Sequence, residues 1–145
     1  MINIKDLQIG DWVMTPYGWH KVDTIYGSIE RLLADMIEFD ISELDAIPIT
    51  PEILEKNGFE IVHGLGYSES YPTYGWGYHK GLRDYASVGV TFYDEPIGGV
   101  SRLVRMETAS KKDDGINSIH SCDIEFIHQL QHCLKLVGID KEIVL

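Results

Sequence analysis

Two cysteines in 145 residues rule out a disulfide framework. No run approaches the roughly 18 apolar residues of a membrane-spanning helix. The opening Met1-Ile2-Asn3-Ile4-Lys5-Asp6 has no basic end followed by an apolar stretch, so it does not read as a signal peptide. The expectation is a cytoplasmic protein with no membrane partner. Basic residues are also scarce. Twelve Lys and Arg stand against 23 Asp and Glu, a formal net charge of −11. That speaks against direct duplex nucleic-acid binding, which needs a basic stripe along the phosphates. The acids are scattered, which fits simple solubility. There is no internal repeat and no Pro- or Ser-rich linker. Also missing are Gly-x-Ser-x-Gly, a P-loop and a dinucleotide fingerprint. Nothing in the chain names a reaction, so the expectation is a non-enzymatic protein with no cofactor.

What is present is an ordinary apolar content, 44%, in a length that fits one domain. Residues 1–145 read as a single domain with a small β-barrel-like part, 1–48, and an α+β part, 49–145. In the first part, Trp12-Val13-Met14 and Trp19 to Tyr26 read as strands around the turn Pro16-Tyr17-Gly18. They suggest the opening hairpin of an SH3-like module with Val13, Val22 and Ile25 facing its core. Arg31 to Asp40 reads as a third strand, with Ile37 and Phe39 on one face. Helix is the alternative for residues 28–36, capped by Ser28.

The second part opens with the clearest punctuation in the chain, Thr50-Pro51-Glu52-Ile53-Leu54-Glu55-Lys56-Asn57-Gly58. Thr50 caps, Pro51 takes the first helical position and Gly58 closes, which predicts a helix of about two turns. Phe59 to His63, Val88 to Tyr93 and Ser101 to Met106 read as strands. Asp94 to Val100 and Lys111 to Gly115 read as turns. The longest helix is expected from Ser121–Asp123, with Asp123 as its cap, to Gly138. Its buried face would hold Phe126, Ile127, Leu130, Cys133, Leu134 and Val137. On that helix Cys122 and Cys133 would lie about 16 Å apart at 1.5 Å per residue, too far to bridge. Free thiols fit a reducing compartment. Glu142 to Leu145 reads as a terminal edge strand. The fold class is therefore α+β, an N-terminal SH3-like β module followed by an antiparallel sheet with a packed C-terminal helix.

The candidate site is the long aromatic loop expected at 64–81. It carries five of the 14 glycines, four of the eight tyrosines and one of the three tryptophans. Tyr and Trp give large contact areas at low entropy cost, while Gly and Ser let the backbone adapt. Tyr74, Trp76 and Tyr78 beside His79, Lys80 and Arg83 form a candidate ligand-binding wall. Aromatic faces stack on nucleobases and cationic groups pair with phosphate. The same set suits a protein partner, since Trp, Tyr and Arg dominate hot spots. The structural alternative is a surface loop whose aromatics fold back onto the body.

Two weaker constellations stand beside it. Glu125, His128 and His132 are spaced to share a helical face, and zinc accepts such ligands. Gln129, however, sits where a metalloprotease helix needs Glu. A solvated polar face is the favoured reading, with metal-dependent hydrolysis as the alternative. Cys122 near His120 suggests a nucleophile and base, but thiolate activation depends on surroundings the sequence does not show.

Three blocks carry a resemblance. They are Ile4-Lys5-Asp6-Leu7-Gln8-Ile9-Gly10-Asp11-Trp12-Val13, Ile47 through Phe59, and His128-Gln129-Leu130-Gln131-His132 with Gly138 through Ile143. Together they resemble a family of small uncharacterised proteins of phages and integrated elements of gut bacteria. The resemblance is confined to these blocks and does not include the aromatic loop. It implies a phage or mobile-element setting, in which small binding proteins counter host defence by sequestering a nucleotide signal or blocking an effector. A homodimer is expected too, paired through Glu142 to Leu145 or through the loop, because an unpaired terminal strand is a template for another chain.

Overall fold

The computed structural model describes residues 2–62, 71–79, 82–93, 103–111, 117–136 and 138–145. The turns expected at Asp94–Val100 and beyond Lys111, and most of the stretch from Gly64 to Tyr71, lie outside the described residues. The chain divides into two compact units, residues 1–49 with 126–131, and residues 50–125 with 132–145.

In the first unit, local signals set the strands. β1 (Trp12–Thr15) and β2 (Gly18–Tyr26) pair antiparallel, with Thr15 opposite Gly18. Gly18 sits at φ 113, where a side chain would be strained, and its carbonyl accepts from the Thr15 hydroxyl at 3.0 Å. β3 (Arg31–Ala34) and β4 (Ile37–Asp40) extend the meander in the order β1-β2-β3-β4. A reciprocal main-chain pair between Met14 and Asp45, at 2.9 and 3.0 Å, then brings the chain back to β1. Val13, Val22, Leu32, Ala34, Phe39 and Leu44 fill the interior, with Ile25 packed against them. The core positions expected from alternation are those observed.

Arg31 to Asp40 is not one strand but a hairpin. Asp35 and Met36 both take left-handed backbone, φ 46 and 67. Two-residue turns of this kind favour Asn-Gly or Asp-Gly because both central residues need positive φ. Here hydrogen bonds hold the turn instead. The Asp35 N–H donates to the Lys21 carbonyl at 3.0 Å, and the Met36 N–H donates to the Asp23 carboxylate at 2.9 Å. The helix considered for residues 28–36 is replaced by a 3₁₀ turn at Gly27–Ile29.

The same unit takes in residues 126–131. The Ile127 N–H donates to the Ile47 carbonyl at 2.8 Å. Gln131 accepts from the Trp12 N–H and donates to the Gly10 carbonyl, each at 3.1 Å.

The second unit begins with α1 (Pro51–Lys56), capped as expected by the Thr50 hydroxyl, which accepts from the Ile53 N–H at 3.3 Å. Its sheet is antiparallel, in the order β5 (Glu60–Ile61), β6 (Thr73–His79), β7 (Leu82–Tyr93), β8 (Leu103–Lys111) and β9 (Asn117–Ile124). Together with the helices this is an α+β fold.

Two expectations for the C-terminal part are corrected. The long helix does not begin at Ser121–Asp123. Residues Asn117 to Ile124 pair with β8 in unbroken register, from Lys111↔Asn117 to Val104↔Ile124. Only then does α2 (Ile127–Leu136) start. Asp123 is a strand residue, and the Gln129 side chain instead accepts from the Phe126 N–H at 3.0 Å. The helix does close at Gly138, which has φ 74 and donates its N–H to the Lys135 carbonyl. Nor is Glu142 to Leu145 an edge strand. The buried side chain of Asn57 clasps Val144 on both main-chain groups, donating to its carbonyl and accepting from its N–H, each at 2.7 Å. Among the described residues, no helix is long and apolar enough to cross a membrane.

Candidate functional site

β6 is held on one side by β5, with Ile61 opposite Tyr74, and on the other by β7, with Tyr74 opposite Val90 and Trp76 opposite Val88. What reads as one continuous loop at 64–81 is therefore partly sheet. The glycines that suggested a pliable loop, Gly75 and Gly77, lie inside the strand. Pairing on both sides settles the conformation that local composition leaves open.

This placement separates the candidate residues. Tyr74 is 7% exposed and packs edge-on to Phe92, ring centres 5.8 Å apart. Burial, and then the carboxylates of Glu55 and Glu52, push its phenol up. It is a core residue, because strand alternation turns it to the same side as Val88, Val90 and Phe92. Trp76 follows on that face but is only half-buried. A bulge comes directly after it, between Trp76 and Tyr78, where Gly77 takes φ 74. Bulges re-aim the residues beyond them. Past the bulge, Tyr78 pairs with Arg83 and His79 with Leu82, so the hairpin brings the main chains of Tyr78, His79 and Arg83 together. Lys80 lies outside the described residues.

The cation found at Trp76 is one the sequence did not offer. The Lys141 ammonium lies over the indole, 5.7 Å from the ring centre. Such a contact contributes about 0.5–1 kcal/mol at exposed sites and more when desolvated. Lys141 follows α2 and is remote from Trp76 in the chain, so no spacing rule could have paired them. At the other end of the β6–β7 pair, Tyr71 and Tyr93 pack 5.1 Å apart, and the hydroxyls of Thr73 and Thr91 meet at 2.7 Å.

The proposed metal face does not form as spaced. Glu125 precedes α2, so it does not share a helical face with the two histidines. His128 is 4% exposed and stacks on Phe126 with ring centres 5.9 Å apart, which corrects its placement on a solvated face. Among the described residues, no group of three His, Cys, Asp or Glu is placed to hold a metal ion.

The cysteines are the largest correction. Cys122 lies on β9 and Cys133 on α2, and their sulfurs are 3.3 Å apart. The 16 Å estimate assumed one continuous helix. The chain instead turns between strand and helix at residues 125–126, which folds the two positions onto each other. Burial, then the hydrogen bond to Cys122 and its charge, push the Cys133 thiol up to about 12.

The first unit carries a separate feature, several exposed large apolar side chains, including Tyr17 at 75%, Trp19, Ile29 and Met36. Compared with protein-family models, curated proteins and solved structures, the chain matches none.

Proposed function

We propose that the protein is a non-enzymatic binding protein of phage or mobile-element type. It holds a small nucleotide-like signal against Trp76 and so counters host defence by sequestration. The observation that carries this reading is the Lys141 ammonium over the half-buried Trp76 ring. An aromatic ring and a cation brought within reach of each other supply the two chemistries that a nucleotide needs, a surface on which a base stacks and an ammonium that pairs with phosphate. Arg83, on the strand paired with β6, adds a second basic residue close to that hairpin.

The test is calorimetry of the purified protein against a panel of cyclic and linear nucleotides. A micromolar binder is expected, and Trp76→Ala should abolish its binding while the circular dichroism spectrum stays unchanged, because the stacking face is lost. No heat from any member of the panel at micromolar protein defeats the reading.

The second reading is a protein-interaction module that blocks a host effector. The exposed apolar side chains of the first unit favour it, with Tyr17 and Trp19 of the residue types that dominate hot spots. A homodimer belongs to either reading. With Val144 clasped by Asn57, its natural contact moves from the C-terminal segment to β9, which ends the five-stranded sheet. Light scattering at micromolar concentration should return twice the monomer mass of 16.4 kDa. A mass of one chain, with and without nucleotide, removes the dimer.

A further inference from the structure

We propose that Cys122 and Cys133 form an oxidisable dithiol, a modification site at which a hydroperoxide closes an intramolecular disulfide between β9 and α2. The two sulfurs are already 3.3 Å apart. A disulfide needs about 2.05 Å, so closure asks for a movement of little more than an ångström. Both thiols are half-buried and neither is bridged. Neither residue is fully buried, so the oxidant proposed is a small hydroperoxide rather than a bulky disulfide reagent. The pair also joins two elements of one compact unit, since residues 122 and 133 both belong to the second.

The chemistry proceeds in two balanced steps. The Cys122 sulfur attacks one peroxide oxygen. An S–O bond forms and the O–O bond breaks: the peroxide takes two electrons, one oxygen stays on Cys122 as the sulfenic acid, and the other departs as hydroxide, takes the Cys122 thiol proton and leaves as water. The Cys133 sulfur then attacks the sulfenic sulfur. The Cys133 proton passes to the adjacent sulfenic oxygen as the sulfur attacks, so Cys133 reacts with thiolate character; an S–S bond forms, the S–O bond breaks, and the oxygen leaves as a second water. The order follows from the environment of Cys133. Desolvation keeps its proton on at neutral pH, and the thiolate rather than the thiol is the nucleophile. Cys133 therefore serves as the resolving thiol, delivering its proton to the leaving group.

The experiment treats the full-length protein with dilute hydrogen peroxide under native conditions. Free thiols are then counted after denaturation, and the intact mass is measured without reductant. The expected result is loss of both thiols, a mass lower by two hydrogens, no covalent dimer, and full reversal by dithiothreitol. Persistence of both thiols, or oxidation only to interchain links, overturns the proposal. Two variants test the order of attack. Cys133→Ser should hold the sulfenic acid at Cys122, where dimedone captures it. Cys122→Ser should take no dimedone. Labelling of Cys133 in Cys122→Ser, with none of Cys122 in Cys133→Ser, overturns the assigned order. The wild-type thiol count decides the main point whether or not either variant folds.

Discussion

Leu130→Ala should destabilise the protein by about 2–5 kcal/mol, the range for truncating a buried leucine. At roughly 3 °C per kcal/mol for a chain of this size, the melting temperature should fall by about 6–15 °C. Leu130 is fully buried, as are Ile127 and, one turn on, Leu134. Its removal costs the transfer of the isobutyl group and leaves a cavity that its neighbours fill only in part. Lys135→Ala, on the exposed side of α2, is the control and should change stability by less than about 0.5 kcal/mol. Denaturant titration of both variants checks this. A loss under about 1 kcal/mol for Leu130→Ala means that the helix face is not packed as described.

Asn57→Ala should cost about 2–4 kcal/mol, because three hydrogen bonds are lost at a side chain only 6% exposed. Its amide nitrogen donates to the Ile53 carbonyl at 2.8 Å and to the Val144 carbonyl at 2.7 Å, and its oxygen accepts from the Val144 N–H. The main-chain groups left behind must find water, and Ile143, 1% exposed beside them, loses its anchor. Hydrogen exchange reads the effect directly, since the Val144 amide should lose its protection in Asn57→Ala. Asn57→Asp keeps the acceptor and loses both donor bonds, so the Val144 amide should stay protected while stability falls. Equal protection of Val144 in wild type and Asn57→Ala contradicts the clasp.

The sequence was legible where a signal is local and misleading where the deciding contact is remote. Thr50, Pro51 and Gly58 fix α1 through groups within a turn of one another, and the structure puts the helix there. The β1–β2 hairpin and the Gly138 terminator are of the same kind. The Asp35–Met36 turn escaped because its left-handed backbone is carried by residues other than glycine and held by Lys21 and Asp23, which no turn rule includes. The start of α2 was misplaced because Ser121 to Phe126 has apolar spacing that suits either helix or strand. Only the eight-residue pairing with β8 decides it. That one error carried the cysteines with it, from 16 Å on a shared helix to 3.3 Å across a turn. At the candidate site, the sequence singled out Trp76, which the structure leaves half-buried. It also included Tyr74, which strand alternation buries, and it omitted Lys141, which only tertiary folding brings near.

The hydrogen bonds of Gln131 bear on how the chain is made. A ribosome releases Gly10 and Trp12 well over a hundred residues before Gln131. Until Gln131 emerges, the Trp12 N–H and the Gly10 carbonyl have water where the folded protein has one glutamine, and Ile47 waits in the same way for the Ile127 N–H. The N-terminal meander can pair its strands as it emerges, yet it reaches its final hydrogen bonding only after the whole second sheet has been synthesised. A nascent chain halted anywhere before residue 126 should thus show the first unit in a looser form, more open to a protease than the same residues in the completed protein.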